Sequence, residues 1–132
     1  MDMTKEQLVQ LVETEFDNWA FGHLEEYHIN LSEDELRYRL IIHEKQSVSS
    51  FIGDADEIMD MVKMELIQNI SYIQAWLSTG QEYVALHARI PENISSLCVS
   101  RNYTGVTHPR VYRIILCRFD GAFRMETAFP LN

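Results

Sequence analysis

The chain of 132 residues is long enough for one domain with its own core and too short for two. Its hydrophobic share of 46% and charged share of 23% are typical of a globular protein and exclude a disordered chain, and no apolar run approaches the roughly 20 residues of a membrane-spanning helix. The formal net charge of −9 argues against a broad basic surface for nucleic acid, so a phosphate-binding role requires a local group of cations.

Cysteine usage and the N-terminus point to no special chemistry or destination. Cys98 and Cys117 are too few for a disulfide framework, and neither has a second cysteine or a histidine at the spacing of a metal site. We expect two buried thiols, with one disulfide bridge as the alternative, and no metal site or cofactor. The first ten residues lack the basic segment and apolar core of a signal peptide.

The first predicted element is an amphipathic helix over residues 5 to about 20. It follows a capping box in which the Thr4 hydroxyl accepts a backbone N–H and the Gln7 side chain reaches back to the cap. Its apolar positions recur at helical spacing, and they are Leu8, Leu11, Val12, Phe16, Trp19 and Ala20. We interpret this stripe as core rather than as a groove for a partner.

A second capping box, formed by Ser32 and Glu35, predicts a helix over residues 32 to about 42. Leucines at i and i+4 mark the buried side of this helix, and Arg39 stands at the edge of that side. His28 is predicted to lie on the loop just before the cap.

His28 and Arg39 together allow two interpretations. A loop histidine and a helix-borne arginine tied by a short connection can point into one cleft, as general base catalysis beside a stabilised anion requires. In the structural alternative, the histidine only hydrogen-bonds the backbone, and the arginine only covers the leucine stripe with its aliphatic stem. The spacing within this stretch does not separate the two interpretations.

The middle of the chain predicts a further helical region. A cap signal at Asp54 precedes an apolar stripe that runs to Leu77, so we expect one long helix or two short ones broken near Asn69. The polar residues 43–47 before it are predicted to form a loop that leads into residues 47–51.

The last third of the chain changes to strand-forming residues. Runs rich in β-branched and aromatic residues predict four strands, at about 83–89, 94–101, 110–119 and 122–129. Asp120 and Gly121 form a hairpin signal between the last two runs. N-terminal helices followed by an antiparallel sheet predict an α+β fold in a single domain. The positions expected to be mostly buried are Trp19, Phe51, Leu66, Ile70, Trp76 and Ile115.

Four short pieces of the chain stand in an order typical of one protein family. The first combines a glycine-histidine pair, a histidine five residues on, and a leucine-rich helix whose arginine lies eleven residues beyond that histidine. The others are a serine-rich turn ending in phenylalanine, a helix ending in tryptophan-leucine, and a final threonine-alanine-aromatic-proline. The matching residues are Gly22, His23, His28, Leu36, Arg39, Leu40, Ser47, Ser49, Ser50, Phe51, Trp76, Leu77, Thr127, Ala128, Phe129 and Pro130. In these pieces the chain resembles the RNase A-like toxin domain at the C-terminal ends of bacterial contact-dependent growth inhibition proteins.

This resemblance covers residues 22–132 and implies an RNase A-like toxin domain there, with residues 1–21 as an extra N-terminal helix. It implies a metal-independent endoribonuclease that cleaves RNA through the ribose 2′-hydroxyl and leaves 2′,3′-cyclic phosphate ends. The implied partners are an RNA substrate and a cognate immunity protein, without a cofactor or membrane segment. The implied location is that of a secreted or delivered effector acting in the target-cell cytoplasm; without the resemblance we would expect a cytoplasmic protein.

The catalytic set of the family carries over to His28, Arg39, Thr127 and Phe129. The resemblance implies that His28 takes the hydroxyl proton, that Arg39 holds the phosphate, and that Thr127 donates a hydrogen bond to a non-bridging oxygen. Phe129 stands where the family has tyrosine and cannot donate a hydrogen bond. His23 is the candidate for substrate binding, and its alternatives are a general acid or a hydrogen bond that only fixes the loop.

Two departures from the family pattern lead to further hypotheses. Besides Phe129, Asn30 stands where the family tends to have glycine, and both departures leave the expected fold unchanged. The second hypothesis is a catalytically weakened relative that binds RNA or a protein. The third, which is supported only by the net charge of −9 and the extra N-terminal helix, is an acidic interaction protein, such as an inhibitor of a basic partner. His43, His87 and His108 lie outside the matched pieces, so we expect ordinary structural roles for them.

Overall fold

The N-terminal half of the molecule is mostly helical. A computed structural model describes residues 2–132. Three helical segments follow one another without a break: α1 (Lys5–Trp19), a π-helical turn (Ala20–Leu24) and α2 (Glu25–His28). The later helices are α3 (Glu33–Ile42), α4 (Ala55–Gln68) and α5 (Ile70–Leu77).

Six strands form two separate antiparallel sheets. The strands are β1 (Ser47–Ile52), β2 (Tyr83–Arg89), β3 (Ser95–Ser100), β4 (Tyr103–Thr107), β5 (Val111–Phe119) and β6 (Ala122–Leu131). One sheet has the order β1-β3-β4 and the other the order β2-β5-β6. The predicted α+β fold is therefore confirmed, although the strands divide into two sheets instead of one.

Local capping explains where the helices begin. The capping boxes that start at Thr4 and Ser32 both form, with the side-chain and backbone bonds in place in each. The Asp54 carboxylate accepts a backbone N–H of the first turn of α4. The helical region breaks at Asn69, so the prediction of two shorter helices is correct.

Three local expectations were wrong. Residues 47–51, expected as a loop and turn, belong to β1, and residues 103–107, expected to lie between strands, form β4. His28 lies at the end of α2 rather than on a loop. The serine-rich β1 has weak intrinsic strand propensity, but it pairs with β3 along its whole length, and tertiary pairing outweighs propensity.

The main hydrophobic core lies between α1, α4, α5 and the β2-β5-β6 sheet, and β1 contributes Phe51 to it. A smaller core forms where α3 packs on β1 and β3, and its buried members are Leu36, Leu40, Val48 and Val99. α1 contributes its buried stripe to the main core, as its periodicity predicted.

The six residues predicted to be mostly buried differ in their exposure. Three are buried as expected, namely Phe51, Leu66 and Trp76. Trp19 and Ile70 are only partly buried against the main core. Ile115 is half-buried because its neighbours Ile114 and Leu116 take the inward positions of β5, and side chains alternate between the faces of a strand.

The two sheets meet where β1 runs beside β6. The Ser49 hydroxyl donates a hydrogen bond to the Pro130 carbonyl oxygen at 2.7 Å. An isolated parallel bridge between Ile29 and Phe51 ties the segment after α2 to β1. The end of α2, one side of α3, β1 and β6 therefore surround a common space.

Candidate active site

A cavity of about 480 Å³ occupies this space. It is lined by all five residues that the sequence singled out, namely His23, His28, Arg39, Thr127 and Phe129. Among residues 2–132, none of the side chains that line the cavity is acidic, although the whole chain has a formal charge of −9. The cavity lining therefore contains two histidines, an arginine and a lysine, and no carboxylate side chain.

The π-helical turn between α1 and α2 brings His23 and His28 together. A π-helix bonds residues five apart, and the Glu25 N–H accordingly donates to the Ala20 carbonyl. Residues spaced by five lie on widely separated faces of an α-helix but come closer together where a π-turn is inserted. The ring centroids of His23 and His28 are 5.2 Å apart. Two histidines five residues apart therefore indicate a shared site only when a π-helical turn accompanies them.

His28 is held in one tautomer by β1. Its Nδ1 lies 2.9 Å from the Ser49 carbonyl oxygen, and a carbonyl can only accept, so Nδ1 carries a hydrogen in either charge state. Nε2 is therefore the nitrogen that accepts a proton. The pKa of His28 is lowered to about 4, mainly by burial and also by the positive charges of His23, Arg39 and Lys45, while the Ser49 bond opposes the shift. The ring is a neutral base at physiological pH.

Arg39 is held in place by Tyr27 of α2, and its Nε donor is not bonded to any described residue. Its Nη1 donates to the Tyr27 carbonyl oxygen at 2.6 Å, and its guanidinium carbon lies 4.7 Å from the centroid of the Tyr27 ring. Its Nε is buried and has no hydrogen-bond partner within residues 2–132, nor does any carboxylate there form an ion pair with Arg39. A buried donor without an acceptor costs about 1–3 kcal/mol, so this arrangement favours an anionic ligand.

Thr127 and Phe129 come from the same face of β6. Residues two apart on a strand point to the same side, and both line the cavity. The Thr127 hydroxyl is buried and has no partner within the described part of the chain. The Phe129 ring lies with its centroid 5.5 Å from that of His28. Thr127 thus offers a second free donor, whereas Phe129 offers only an aromatic surface.

His23 is the least restrained of the five residues. Its ring centroid lies 4.7 Å from that of Tyr27, and neither ring nitrogen forms a hydrogen bond to another described residue. The hydrogen bond considered for fixing its loop is therefore absent from residues 2–132. Burial lowers the pKa of His23, and Arg39 and Lys45 lower it further, against the opposing carboxylates of Glu126 and Glu26. A ring with free nitrogens beside His28 can contact a substrate directly.

At position 30, where glycine was expected from the resemblance, asparagine is compatible with the backbone conformation of the turn. Its φ of 56° lies in the left-handed region, which asparagine tolerates better than most other residues that carry a Cβ. Its side chain donates to the Gly53 carbonyl at 2.8 Å and accepts from the Gly53 N–H at 2.9 Å. Its own N–H donates to the Phe51 carbonyl. Asn30 therefore supports the turn that carries the chain from His28 to α3.

Sequence reasoning missed Lys45 altogether, and it named Ser49 in the serine-rich piece without a role at the site. Lys45 lines the cavity from the loop before β1, and Ser49 orients His28 and bonds to β6. A lysine in a polar loop and a serine in a serine-rich run carry no local signal of such roles.

The remaining histidines lie outside the cavity. His87 Nε2 accepts from Arg113 Nε at 2.9 Å, and His108 Nδ1 lies 2.8 Å from the Ser96 carbonyl oxygen. Both Cys98 and Cys117 are buried free thiols, as expected. Within residues 2–132 no group of three histidine, cysteine or carboxylate side chains is arranged to hold a metal ion. In the same range, no helix is both long enough and apolar enough to cross a membrane.

Comparison with known proteins identifies a similar solved structure. No protein-family model matches the sequence, and no curated protein matches it. The chain is similar to a chain in the crystal structure of the CdiA-CT/CdiI complex from Y. kristensenii 33638, with a TM-score of 0.71 and 25% sequence identity. The likeness covers 84% of this chain and 100% of the other. It supports the resemblance to C-terminal toxin domains of contact-dependent growth inhibition proteins.

Proposed function

We propose that the protein is a ribonuclease toxin of the RNase A-like type, which cleaves RNA by attack of a ribose 2′-hydroxyl on the adjacent phosphate. The observation that carries the proposal is the His28 imidazole, which is neutral, fixed in one tautomer and in the same cavity as Arg39, whose Nε has no partner among residues 2–132. A cavity without acidic side chains in an acidic protein further supports a phosphate ligand.

In the proposed reaction, proton transfer begins at His28. Its Nε2 takes the proton of the 2′-hydroxyl as the oxygen attacks phosphorus, and the bond from phosphorus to the 5′-oxygen breaks. The departing 5′-oxygen takes its proton from water, because the lowered pKa of His23 leaves that ring neutral at physiological pH. The products are a 2′,3′-cyclic phosphate and a 5′-hydroxyl end, and His28 gives its proton to the hydroxide that remains, which restores the neutral base.

Arg39 and Thr127 stabilise the charge that builds on the phosphate. The guanidinium supplies a positive charge and a free Nε donor from α3, and the Thr127 hydroxyl supplies a neutral donor from β6. Both donors lack partners among residues 2–132, so neither gives up a protein hydrogen bond to meet the phosphate. Phe129 packs against His28 and excludes water from its ring.

The similar solved structure supports a proposal for the biological setting of this reaction. Because that structure contains CdiA-CT together with CdiI, we propose that this chain also acts as a delivered effector and has a cognate immunity protein. Residues 22–132 form the toxin domain in this proposal, and α1 before it contributes an apolar stripe that packs into the main core.

A second candidate function rests on Phe129. Its ring takes the place of the family's tyrosine beside His28, and it can stack a base but cannot donate a hydrogen bond. In this alternative the protein binds RNA in the same cavity and turns it over slowly or not at all.

The proposal is tested with total RNA incubated with the purified protein in EDTA. Fragments with 2′,3′-cyclic phosphate ends are expected, and His28→Ala should reduce their formation by roughly 10² to 10⁴. His87→Gln is the matched control, since this histidine lies on β2 outside the cavity, and it should cleave like the unmodified protein. RNA that is bound but left intact would favour the second candidate, whereas the absence of both binding and cleavage would contradict both.

A further inference from the structure

The outer edge of β2 is open, in contrast to the other edges of the two sheets. β1 and β6 are the edges that run side by side at the cavity, where the Ser49 hydroxyl donates to the Pro130 carbonyl oxygen. At the β4 edge, Arg37 Nη2 donates to the carbonyl oxygens of Thr104 and Gly105 at 2.7 and 2.9 Å. Within residues 2–132 no strand pairs with the outer side of β2, and no side chain bonds to its backbone.

The pairing of β2 with β5 decides which backbone groups of β2 are left free. The Arg118 N–H donates to the Glu82 carbonyl oxygen at 3.1 Å, and the Ile90 N–H donates to the Arg110 carbonyl oxygen at 2.8 Å. Bonded pairs alternate along an antiparallel ladder, and the register between these two bonds is continuous. The even-numbered residues of β2 therefore bond to β5. The N–H and C=O groups that point away from β5 belong to Tyr83, Ala85, His87 and Arg89.

The sequence of this edge does not protect it against pairing with another strand. Natural edge strands are shortened, bulged or blocked by proline and lysine, and the seven residues Tyr83–Arg89 contain no proline, lysine or bulge. A cavity of about 300 Å³ lies between α5 and the start of β2, and it is lined by Tyr72, Trp76 and Tyr83 among others. Tyr72 and Tyr83 are 55% and 59% exposed. An incoming strand would therefore meet open space and aromatic surface beside β2.

We propose that β2 of a second copy of this chain pairs antiparallel with this edge, so that two three-stranded sheets join into one sheet across a two-fold axis. Full overlap of the two strands places Leu86 opposite Leu86 of the second copy. All outward backbone groups then find partners, because Tyr83 forms a bonded pair with Arg89 of the second copy and Ala85 does so with His87. A shift by two residues in either direction would leave one end of each strand unpaired.

This register is self-complementary on both faces, which favours a second copy over a strand of another protein. On the inner face, Val84 lies opposite Ala88 of the second copy, and the cavity between α5 and β2 leaves room at this point. On the outer face, Arg89 lies opposite the exposed Tyr83 ring of the second copy, on which a guanidinium can stack. No pair opposes two like charges, and the two-fold symmetry makes each contact twice.

The dimer goes beyond the proposed reaction and does not depend on it. His87, Arg113 and Phe129 lie directly opposite one another on β2, β5 and β6, so their side chains share one face of the sheet. In the dimer, Phe129 of both copies lies on that same face. The two β6 strands are five strand spacings apart, or about 24 Å. The two cavities are thus placed at opposite ends of one continuous sheet.

The test is sedimentation equilibrium of the purified chain from low micromolar to near-millimolar concentration. It is done in physiological salt, which screens the repulsion between two chains of charge −9. The unmodified protein should form a dimer as its concentration rises. Tyr83→Lys opposes a lysine to Arg89 in two symmetric pairs and should raise the dimer Kd by about tenfold. Adding Arg89→Glu to Tyr83→Lys makes both pairs opposite in charge and should restore the Kd of the unmodified protein.

The matched control is Tyr103→Lys, which makes the same change at a tyrosine on β4 that is 55% exposed, and it should leave the Kd unchanged. Amide hydrogen exchange measures the pairing itself. The Ala85 and His87 N–H groups should exchange more slowly as the dimer forms, whereas the Leu86 N–H, which already bonds to β5, should not change.

Two results would overturn the inference. A chain that stays monomeric at every concentration would leave the β2 edge to a strand of another protein. A dimer that is insensitive to Tyr83→Lys, with unchanged exchange at Ala85 and His87, would assign the contact to a different surface.

Discussion

At the scale of single residues, the chemistry of the cavity depends on donors and acceptors that the protein leaves free. His28 has one nitrogen committed to Ser49 and one available. Arg39 has one nitrogen committed to Tyr27, while its Nε has no partner within residues 2–132. In proteins most buried polar groups are bonded, so unpartnered donors around a neutral histidine are expected mainly where a ligand supplies the missing acceptors.

Phe129→Tyr tests the most direct consequence of this arrangement. A hydroxyl added to a ring that already packs on His28 supplies the donor that is present here in the RNase A-like toxin domains that the chain resembles. One oriented donor to a developing oxyanion is worth roughly 10² to 10³ in rate, so kcat on a defined oligoribonucleotide should rise by that order. Phe119→Tyr, on the exposed end of β5, is the matched control and should leave kcat unchanged. Retained RNA binding without faster cleavage would support the weakened binder.

At the scale of elements, the cavity depends on two irregular pieces of backbone. The π-helical turn rotates His23 toward His28, and the left-handed residue Asn30 redirects the chain into α3. A continuous α-helix through this region would point these side chains in other directions, because each of the two irregular pieces changes the rotation of the residues that follow it. The functional residues of α2 and α3 thus share one cavity because the chain from α1 to α3 does not continue as one straight α-helix.

Replacing Asn30 separates the contribution of this backbone from that of its side chain. Asn30→Gly and Asn30→Ala both remove the bonds to Gly53, but only alanine adds the cost of a Cβ in the left-handed region. We expect the alanine variant to be less stable than the glycine variant by about 1–2 kcal/mol. Urea unfolding of the two variants measures this difference directly. Equal stabilities would mean that the turn changes its conformation when the side chain is lost.

At the scale of the whole molecule, the site lies between two sheets that have different cores. α3 packs on the β1-β3-β4 sheet, whereas α1, α4 and α5 pack on the β2-β5-β6 sheet. The Ser49 bond to Pro130 and the burial of His28 both lie at the junction. Protonation of His28 therefore acts on the stability of the entire fold.

The sign of this pH dependence follows from the lowered pKa. Burial shifts the pKa of His28 from 6.5 to about 4, so the unfolded chain binds the proton more tightly than the folded one. The stability contributed by the neutral ring is complete above about pH 6.5 and is lost as the pH falls through about 4. Between about pH 7 and pH 5 the free energy of unfolding should fall by about 2 kcal/mol from this group alone.

His28→Asn isolates this contribution, since the asparagine amide can still donate to the Ser49 carbonyl but cannot take up a proton. Urea unfolding at the two pH values should show a loss that is smaller by about 2 kcal/mol in His28→Asn than in the unmodified protein. His87→Gln, at an exposed position, is the control and should keep the full loss. An identical pH dependence in His28→Asn and the unmodified protein would show that burial of His28 does not control stability.

Local interactions let the sequence alone determine much of the molecule. Capping boxes, apolar periodicity and the hairpin at Asp120 and Gly121 depend on residues a few positions apart, and they correctly predicted most helices, four of the strands and the α+β class. The candidate residues also came from the sequence, through four short pieces between Gly22 and Pro130. Each piece is recognised by the spacing of residues within it, and the order of the pieces along the chain identifies the resemblance.

Only the tertiary structure decided which of these pieces meet. His28 and Thr127 are far apart in the chain and come together because β1 and β6 run side by side, a contact between distant segments that leaves no local pattern. The same holds for the division into two sheets, for β1 and β4 as strands, and for Lys45, whose loop depends on three bonds from Arg101. Hydrogen bonds and burial between distant segments determine these features, and they exist only once the chain has folded.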